Sequence, residues 1–420
     1  MTSDDFSPDF ITNESLNVRP GESLFPGSLF LYTEEEREFR QDLQKFLQDE
    51  IAPIAPDIER LDSFDLCLDA VHRLGRAGYI GFSFPESIGG QGKGHVYRSI
   101  LGEEIAAVNA AVVVTYGASA NLFSEPIIHF GTEEQKARYL PEIMTGEKLG
   151  AIGITEPSAG SDAVGGMKTT AIKSEGGDSY VINGEKRFIT NGSRADYILL
   201  YALTNPEADK KSHGISAFIF PTDTAGFERV KDFDLAGRRG QVNSYLRFSN
   251  CEIPAENLVG GPEMENKGVS ILFSGLDGER CFTSSEYIGI ARVAFEIATR
   301  YANRREQFGK KLREFEGINF KIAEMYAKIE AGRMLLLRAA RMLDASVPAS
   351  KEVAAAKFTC ADNQMQVVLD AMQILGGIGY TKEFPLEQLL RDSKISQISA
   401  GTVEILKLLC QKEIFNALGL

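Results

Sequence analysis

The spacing of apolar and polar positions changes twice along this chain. Between residue 33 and about residue 149 apolar residues recur at helical intervals, and two Ser/Thr-x-x-Glu/Gln capping boxes mark helix starts. Thr33 with Glu36 opens a periodic stretch that closes at Pro53, and Thr132 with Gln135 opens another through KARYL. Helical spacing also covers roughly 66 to 78 and 96 to 110. From about 150 the texture becomes short β-rich runs: YVI at 180 to 182, YILLYAL at 197 to 203, ISAFIF at 215 to 220 and YLRF at 245 to 248. Asn183-Gly184, between YVI and KRFIT, predicts a two-residue hairpin turn. The loop GGPEMENKG at 260 to 268 then leads into a Pro-free stretch to about 304, and helical patterning continues to the C-terminus.

Helices, then sheet, then helices predicts an α+β protein in successive units. The expected boundaries are an N-terminal extension over 1–32, a helical domain over 33–149, a β domain over 150–262 and a second helical domain over 263–420. The extension, rich in Ser, Asp, Asn, Pro and Gly, reads as a surface or frayed segment.

Composition narrows the function classes. A chain of 420 residues with 43 % apolar content has room for two or three cores. No apolar run approaches the ~20 residues needed to span a bilayer, so no membrane insertion is expected. The opening MTSDDFSPDF is acidic and lacks a basic-then-apolar leader pattern, which predicts a cytoplasmic location. With 59 acidic against 45 basic residues the net charge is -14, which disfavours nucleic acid as a partner. Cys67, Cys251, Cys281, Cys360 and Cys410 are scattered and form no CxxC pair, so they read as reduced packing residues and no metal site is expected.

GGQGKG at 89 to 94 matches neither a dinucleotide nor a P-loop spacing and reads as an ordinary turn. Two other segments are more specific. ITEPSAGSD (Ile154 to Asp162) and FITNG (Phe188 to Gly192) set small, hydroxyl and backbone-exposing residues between strands, a chemistry suited to a planar polar ring. Far downstream stands QILGGIGYTKEFPLEQLLRDSKI, Gln373 to Ile395.

These three segments, in this order, resemble the acyl-CoA dehydrogenase family. The resemblance implies that family's fold: an N-terminal helical domain, a middle β-sandwich or barrel-like domain and a C-terminal four-helix bundle. It also implies FAD, an acyl-CoA substrate, a homotetramer and an electron-transfer flavoprotein as electron acceptor. By the same resemblance Ile154, Thr155, Phe188, Ile189 and Thr190 line the flavin ring, and Ser161 lies between cofactor and acyl-CoA. Phe188 stands where many relatives carry Trp, so an aromatic lid survives. Arg305 and Phe308 in RREQFGK match positions that hold the FAD diphosphate and adenosine, partly from a neighbouring subunit. Gln373, Gly377, Thr402 and Glu404 complete the expected cofactor site.

Desaturating a thioester needs a carboxylate at the α-carbon while a hydride leaves the β-carbon for the flavin. Many relatives place that Glu just before a Gly-Thr pair, but here Ala400 precedes Gly401-Thr402. A minority carry the base on the helix that opens the C-terminal domain, and this chain has LDGER there, which makes Glu279 the candidate base. The backbone N–H of Ala400, beside Gly401, would still bond the thioester oxygen. Asp277 and Arg280 match positions near the CoA portion, although a local helix ion pair explains them equally well.

The expected acyl pocket is lined by Val113, Val114 and Ala118, with Ser396 and Ser399 opposite. AAVVVTYGASANL at 110 to 122 most resembles isovaleryl-CoA dehydrogenases, which suggests a short, branched, cyclic or aromatic acyl group. Glu286, seven residues after Glu279, either meets a polar or bulky tail or forms an ion pair at a subunit interface. Three alternatives stay open: an acyl-CoA oxidase, an enoyl-CoA reductase, or a non-catalytic acyl-CoA-binding scaffold.

Overall fold

A computed structural model describes residues 30–419. The expectation for 1–32 therefore falls almost wholly outside the described residues. Seven helices come first: α1 (Glu34–Phe46), α2 (Ala55–Leu61), α3 (Phe64–Arg76), α4 (His95–Val108), α5 (Ala110–Gly117), α6 (Ser124–Phe130) and α7 (Glu133–Met144). Both capping boxes form. Thr33 Oγ1 accepts from the Glu36 N–H at 3.2 Å while Glu36 returns a bond to the Thr33 N–H at 2.9 Å. Thr132 and Gln135 repeat the exchange at the start of α7, at 3.2 and 3.0 Å. GGQGKG is a turn wrapped on backbone: the Gly92 and Lys93 N–H groups bond the carbonyls of Phe84 and Phe82.

Seven strands follow: β1 (Gly150–Gly153), β2 (Thr170–Lys173), β3 (Ser179–Thr190), β4 (Tyr197–Leu203), β5 (Ile215–Pro221), β6 (Phe227–Asp232) and β7 (Asn243–Pro254). They form one curled, mixed sheet in the order β1-β4-β2-β3-β7-β6, with β5 on β4. The uninterrupted apolar runs of β4 and β5 are covered on both faces, and alternation divides their side chains between two cores. Leu199, Tyr201 and Ile219 meet helix residues such as Phe123, Leu140 and Ile271. Ile198, Leu200 and Phe220 pack inside the curl with Ile182 and Leu246.

The hairpin expected at Asn183-Gly184 does not form. β3 runs straight through it, pairing with β2 (Thr170↔Asn183) on one side and β7 on the other, with a register shift between Ile182 and Gly184. Gly184 sits at φ 149°, and a Cβ there would lie 2.6 Å from the Thr169 backbone. The pair supplies a bulge rather than a turn, because only glycine lets β2 approach this closely.

The chain returns to helix with α8 (Gly268–Arg304). Two short strands, β8 (Glu306–Gln307) and β9 (Lys310–Lys311), separate it from α9 (Glu316–Asp344), α10 (Ser350–Leu375), α11 (Leu386–Lys394) and α12 (Val403–Ala417). α8 packs on α4, α9 and α10, and α10 also on α12. Every residue from Gly278 to Ala298 is buried, so α8 is the molecule's central pillar. Among the described residues no helix is long and apolar enough to cross a membrane, and no cluster of His, Cys, Asp and Glu is suited to a metal.

Candidate active site

A buried helix carries charges only where they are paired or used. α8 holds several. Arg292 bonds Glu103 and Glu104 at 3.1 and 2.8 Å, and Glu286 bonds Arg238 at 3.1 Å. Arg280 reaches Asp277 at 3.4 Å and the Ala400 carbonyl at 3.3 Å. The exception is Glu279: it is 5 % exposed, yet its Oε2 is buried with no partner among the described residues. Burial pushes its carboxyl well above the ordinary range, Glu286 and then Glu125 add to the rise, and Arg98 and Asn121 oppose it. Arg98 is itself held by Glu125 and, at 2.6 Å, by Asn121.

Opposite lies the segment that carries Ala400. Lys357 of α10 is fully buried and donates to the carbonyls of Ser396 (2.8 Å), Ser399 (2.8 Å) and Gly401 (2.9 Å). Three carbonyls gathered on one ammonium fold the chain into a tight turn, in which Ala400 (φ 53°) and Gly401 (φ 89°) are left-handed. Among the described residues no acceptor engages the Ala400 N–H, which leaves a donor for an incoming carbonyl. Thr402 then caps α12 through the Ile405 N–H at 3.3 Å.

The two glycine- and hydroxyl-rich segments also converge. Thr155 follows β1, and its carbonyl accepts from the Arg187 N–H at 2.8 Å, so Ile154-Thr155 and Phe188-Ile189-Thr190 lie side by side. Asn191 fastens this wall to the expected pocket: its Nδ2 donates to the Thr115 carbonyl of α5 at 3.0 Å and to that of Gly150 at 3.2 Å. Ile189 turns its side chain into the sheet core, which limits its contribution to backbone. Phe188 is 54 % exposed at φ 59° and stacks on Phe233 at 4.9 Å. Left-handed backbone is routine for Asn and Asp but strained for Phe or Ala, and such outliers concentrate at functional sites.

A flavin fits these groups. The Thr155 and Thr190 hydroxyls, the partnerless Oδ1 of Asn243 beside Thr190 and the outward Phe188 ring offer the polar edge and apolar face that an isoalloxazine requires. Ser161 is exposed beyond the turn that Glu156 and Ala159 make. Arg305 and Phe308 sit apart, after α8, where Phe308 is 94 % exposed at φ 53°. Gln373, in the last turn of α10, and Gly377, just beyond its end, lie at the surface, with open space over Gly377, and Glu404 is exposed on α12. Phe308, Gln373, Gly377 and Glu404 are thus all exposed on the single chain.

Of the expected pocket residues, Val113, Ala118 and Ser396 are buried and Val114 and Ser399 half-buried. Asp277 is both a local ion pair and a partner of Ser350, and the adjoining Arg280 bond to Ala400 ties α8 to the opposite wall. Glu286 pairs inside its own chain. Three contributors escaped the sequence reading: Lys357, Arg238 and the buried Lys186–Glu156 pair (2.9 Å) that pins ITEPSAGSD to β3. Lysines and arginines in polar contexts gave no local signal, because their partners lie 30 to 48 residues away.

Comparison with known proteins shows the family. Models of the acyl-CoA dehydrogenase N-terminal, middle and C-terminal domains match residues 33–147, 151–251 and 266–415. The mitochondrial isovaleryl-CoA dehydrogenase of Solanum tuberosum is 37 % identical, over 95 % of this chain and 94 % of the relative. An acyl-CoA dehydrogenase of Bacillus subtilis (strain 168) is 40 % identical over 91 % of this chain and 99 % of its own. Among solved structures, butyryl-CoA dehydrogenase from Megasphaera elsdenii superposes with a TM-score of 0.86 at 36 % identity, covering 91 % of this chain and 99 % of that one. The chain belongs to the acyl-CoA dehydrogenase family, an oxidoreductase family that acts on acyl-CoA with FAD as its cofactor.

Proposed function

We propose that this enzyme desaturates an acyl-CoA thioester between its α- and β-carbons, with Glu279 as the base. One observation carries the reading: a buried carboxylate on α8 whose Oε2 has no partner among the described residues, next in sequence to Arg280, which bonds the turn that carries Ala400. When bound, FAD supplies the two-electron acceptor for the hydride of the β-carbon. Ile154, Thr155, Phe188, Ile189 and Thr190 would hold its ring, and Arg305, Phe308, Gln373, Gly377, Thr402 and Glu404 the remainder.

The protein's own part is proton chemistry. The thioester oxygen accepts from the Ala400 N–H, which stabilises negative charge as the α-proton leaves. Glu279 Oε2 takes that proton. Its raised affinity for protons, caused by burial and by Glu286, matches the base more closely to the weakly acidic α-carbon. Asp277 and Arg280 at the pocket mouth, with Ser161, suit the CoA portion. A short, branched, cyclic or aromatic acyl group fits the aliphatic Val113, Val114 and Ala118 wall.

The exposed apolar side chains of Phe308, Phe320, Leu408, Ile414 and Leu418 support a homotetramer in which a neighbour completes the FAD site. An electron-transfer flavoprotein is the expected acceptor of the electrons. Glu279→Gln tests the assignment: the purified variant should stay yellow, yet acyl-CoA should no longer bleach its flavin. Near-normal bleaching would refute it. Purification without FAD, with failure to take it up, would favour a non-catalytic scaffold.

A further inference from the structure

Glu286 tunes the base through its charge, but its pairing with Arg238 has no part in the proton transfer above. Glu286 is on nearly the same face of α8 as Glu279, about 10 Å further along, and its charge acts on Glu279. Both members of the pair are buried, at 2 % and 5 % exposure. Arg238 comes from the loop between β6 and β7, where Phe233 stacks on Phe188. Its backbone N–H is bonded to the Asp392 carboxylate of α11. Lys357 also feels the charge of Glu286, which places the pair near the Ala400 turn as well.

The pair is incompletely satisfied. Arg238 Nη2, Asp392 Oδ2 and the Tyr287 hydroxyl are all buried without a hydrogen-bond partner among the described residues. Buried polar atoms are rarely left so, and a pair kept only to clamp two domains would gain from closing these bonds. Three buried polar atoms without a partner beside one ion pair point to a ligand that bonds them.

Charge selects its chemistry. Three carboxyl groups (Glu279, Glu286, Asp392) crowd this end and burial raises the proton affinity of each, so a tail carboxylate would be buried where ionised carboxyls are already disfavoured. A tail ammonium would abut the buried guanidinium. A hydroxyl adds no charge, accepts from Arg238 Nη2 and donates to a carboxylate. We infer that Glu286 and Arg238 form the far end of the acyl pocket and select acyl thioesters bearing an uncharged hydroxyl at medium-chain distance from the reacting carbons. The inference rests on the desaturase reading and replaces its short acyl group with a medium-length one that ends in a hydroxyl.

The test compares octanoyl-CoA with its ω-hydroxy, ω-carboxy and ω-amino counterparts on the FAD-loaded enzyme. Two readouts are followed: anaerobic flavin bleaching, and calorimetric binding of the matching non-oxidisable S-alkyl thioethers. The ω-hydroxy compounds should half-saturate at about tenfold lower concentration than octanoyl, the effect of one net hydrogen bond, and the two charged tails should be poorest. In the double variant Arg238→Met with Glu286→Leu, which replaces the pair by apolar bulk, the preference should vanish or reverse. Glu286→Gln, nearly isosteric, should weaken it several-fold and serves if the double variant does not fold. Octanoyl-CoA used as well as its ω-hydroxy form would overturn this inference while leaving the desaturase reading intact. So would a preference that survives both substitutions. Failure of every acyl-CoA to bind or bleach overturns both.

Discussion

Glu279 is costly to keep. A carboxylate whose folded pKa is raised is destabilising once ionised: its favourable contribution is present at low pH, where it is protonated, and is lost as pH rises through the raised value. Glu279→Gln should therefore raise the thermal midpoint at neutral pH, by ~2 °C for a chain of this size, while lowering the bleaching rate at least ~100-fold. A variant less stable than the wild type would argue that the carboxylate is a structural partner. The same shift governs pH dependence. Bleaching should rise with pH through one ionisation above the ordinary carboxylate range. In Glu286→Gln that limb should move to lower pH, because the neighbouring negative charge that raises Glu279 is gone, while Arg98, Asn121 and Glu125 remain. A limb that stays in place would mean that Glu286 does not act on the base. The candidacy of Glu279 as base was legible in the sequence because Ala400 occupies the alternative position. Its environment was not, since Arg98, Glu125 and Glu286 reach it only through folding.

At the scale of elements, the turn at 396–401 depends on one lysine from another helix. Lys357→Met should remove three hydrogen bonds at once, free the left-handed Ala400, and lower the maximal rate at least ~10-fold with FAD retained. Lys357→Arg, which keeps charge but not the compact ammonium, should recover only part of it. Unchanged turnover in Lys357→Met would show that the turn holds its shape without the lysine. Elements whose signals are local were readable in advance. Both capping boxes form as spaced, and α8 ends at Arg304, close to the expected end near 304. Asn183-Gly184 misled because its apolar flanks belong to one long strand, and the close approach of Thr169 decides the geometry there. Dipeptides report backbone freedom, whereas bulge or turn is chosen by what packs against them.

At the scale of the whole molecule, α1, α4, α8 and α9 are joined by a buried network of Arg40, Glu103, Glu104, Arg292 and Arg333. Burial alone would raise Glu103, but three guanidiniums outweigh it and hold the carboxyl well below its usual range. Its stabilising contribution is therefore present above the ordinary carboxylate pKa and fades as pH falls. Arg333→Met should destabilise the fold by about 3 kcal/mol at neutral pH in denaturant titrations, with a smaller loss in acid, because it removes one of the three guanidiniums that compensate the buried Glu103 carboxylate. A loss under ~1 kcal/mol would contradict this account. The layout of three regions was legible because the hydrophobic period changes between them, whereas this network is invisible to periodicity, its charges falling at apolar positions of buried helices.

The claim on which the rest depends is that Glu279 removes the α-proton. Anaerobic titration with a panel of straight, branched, cyclic and aromatic acyl-CoAs, following flavin absorbance in the wild type and in Glu279→Gln, tests it most directly. The account predicts bleaching of the wild-type flavin by at least one compound and a flavin in Glu279→Gln that binds the same compound yet stays oxidised. Equal bleaching of both proteins would contradict it.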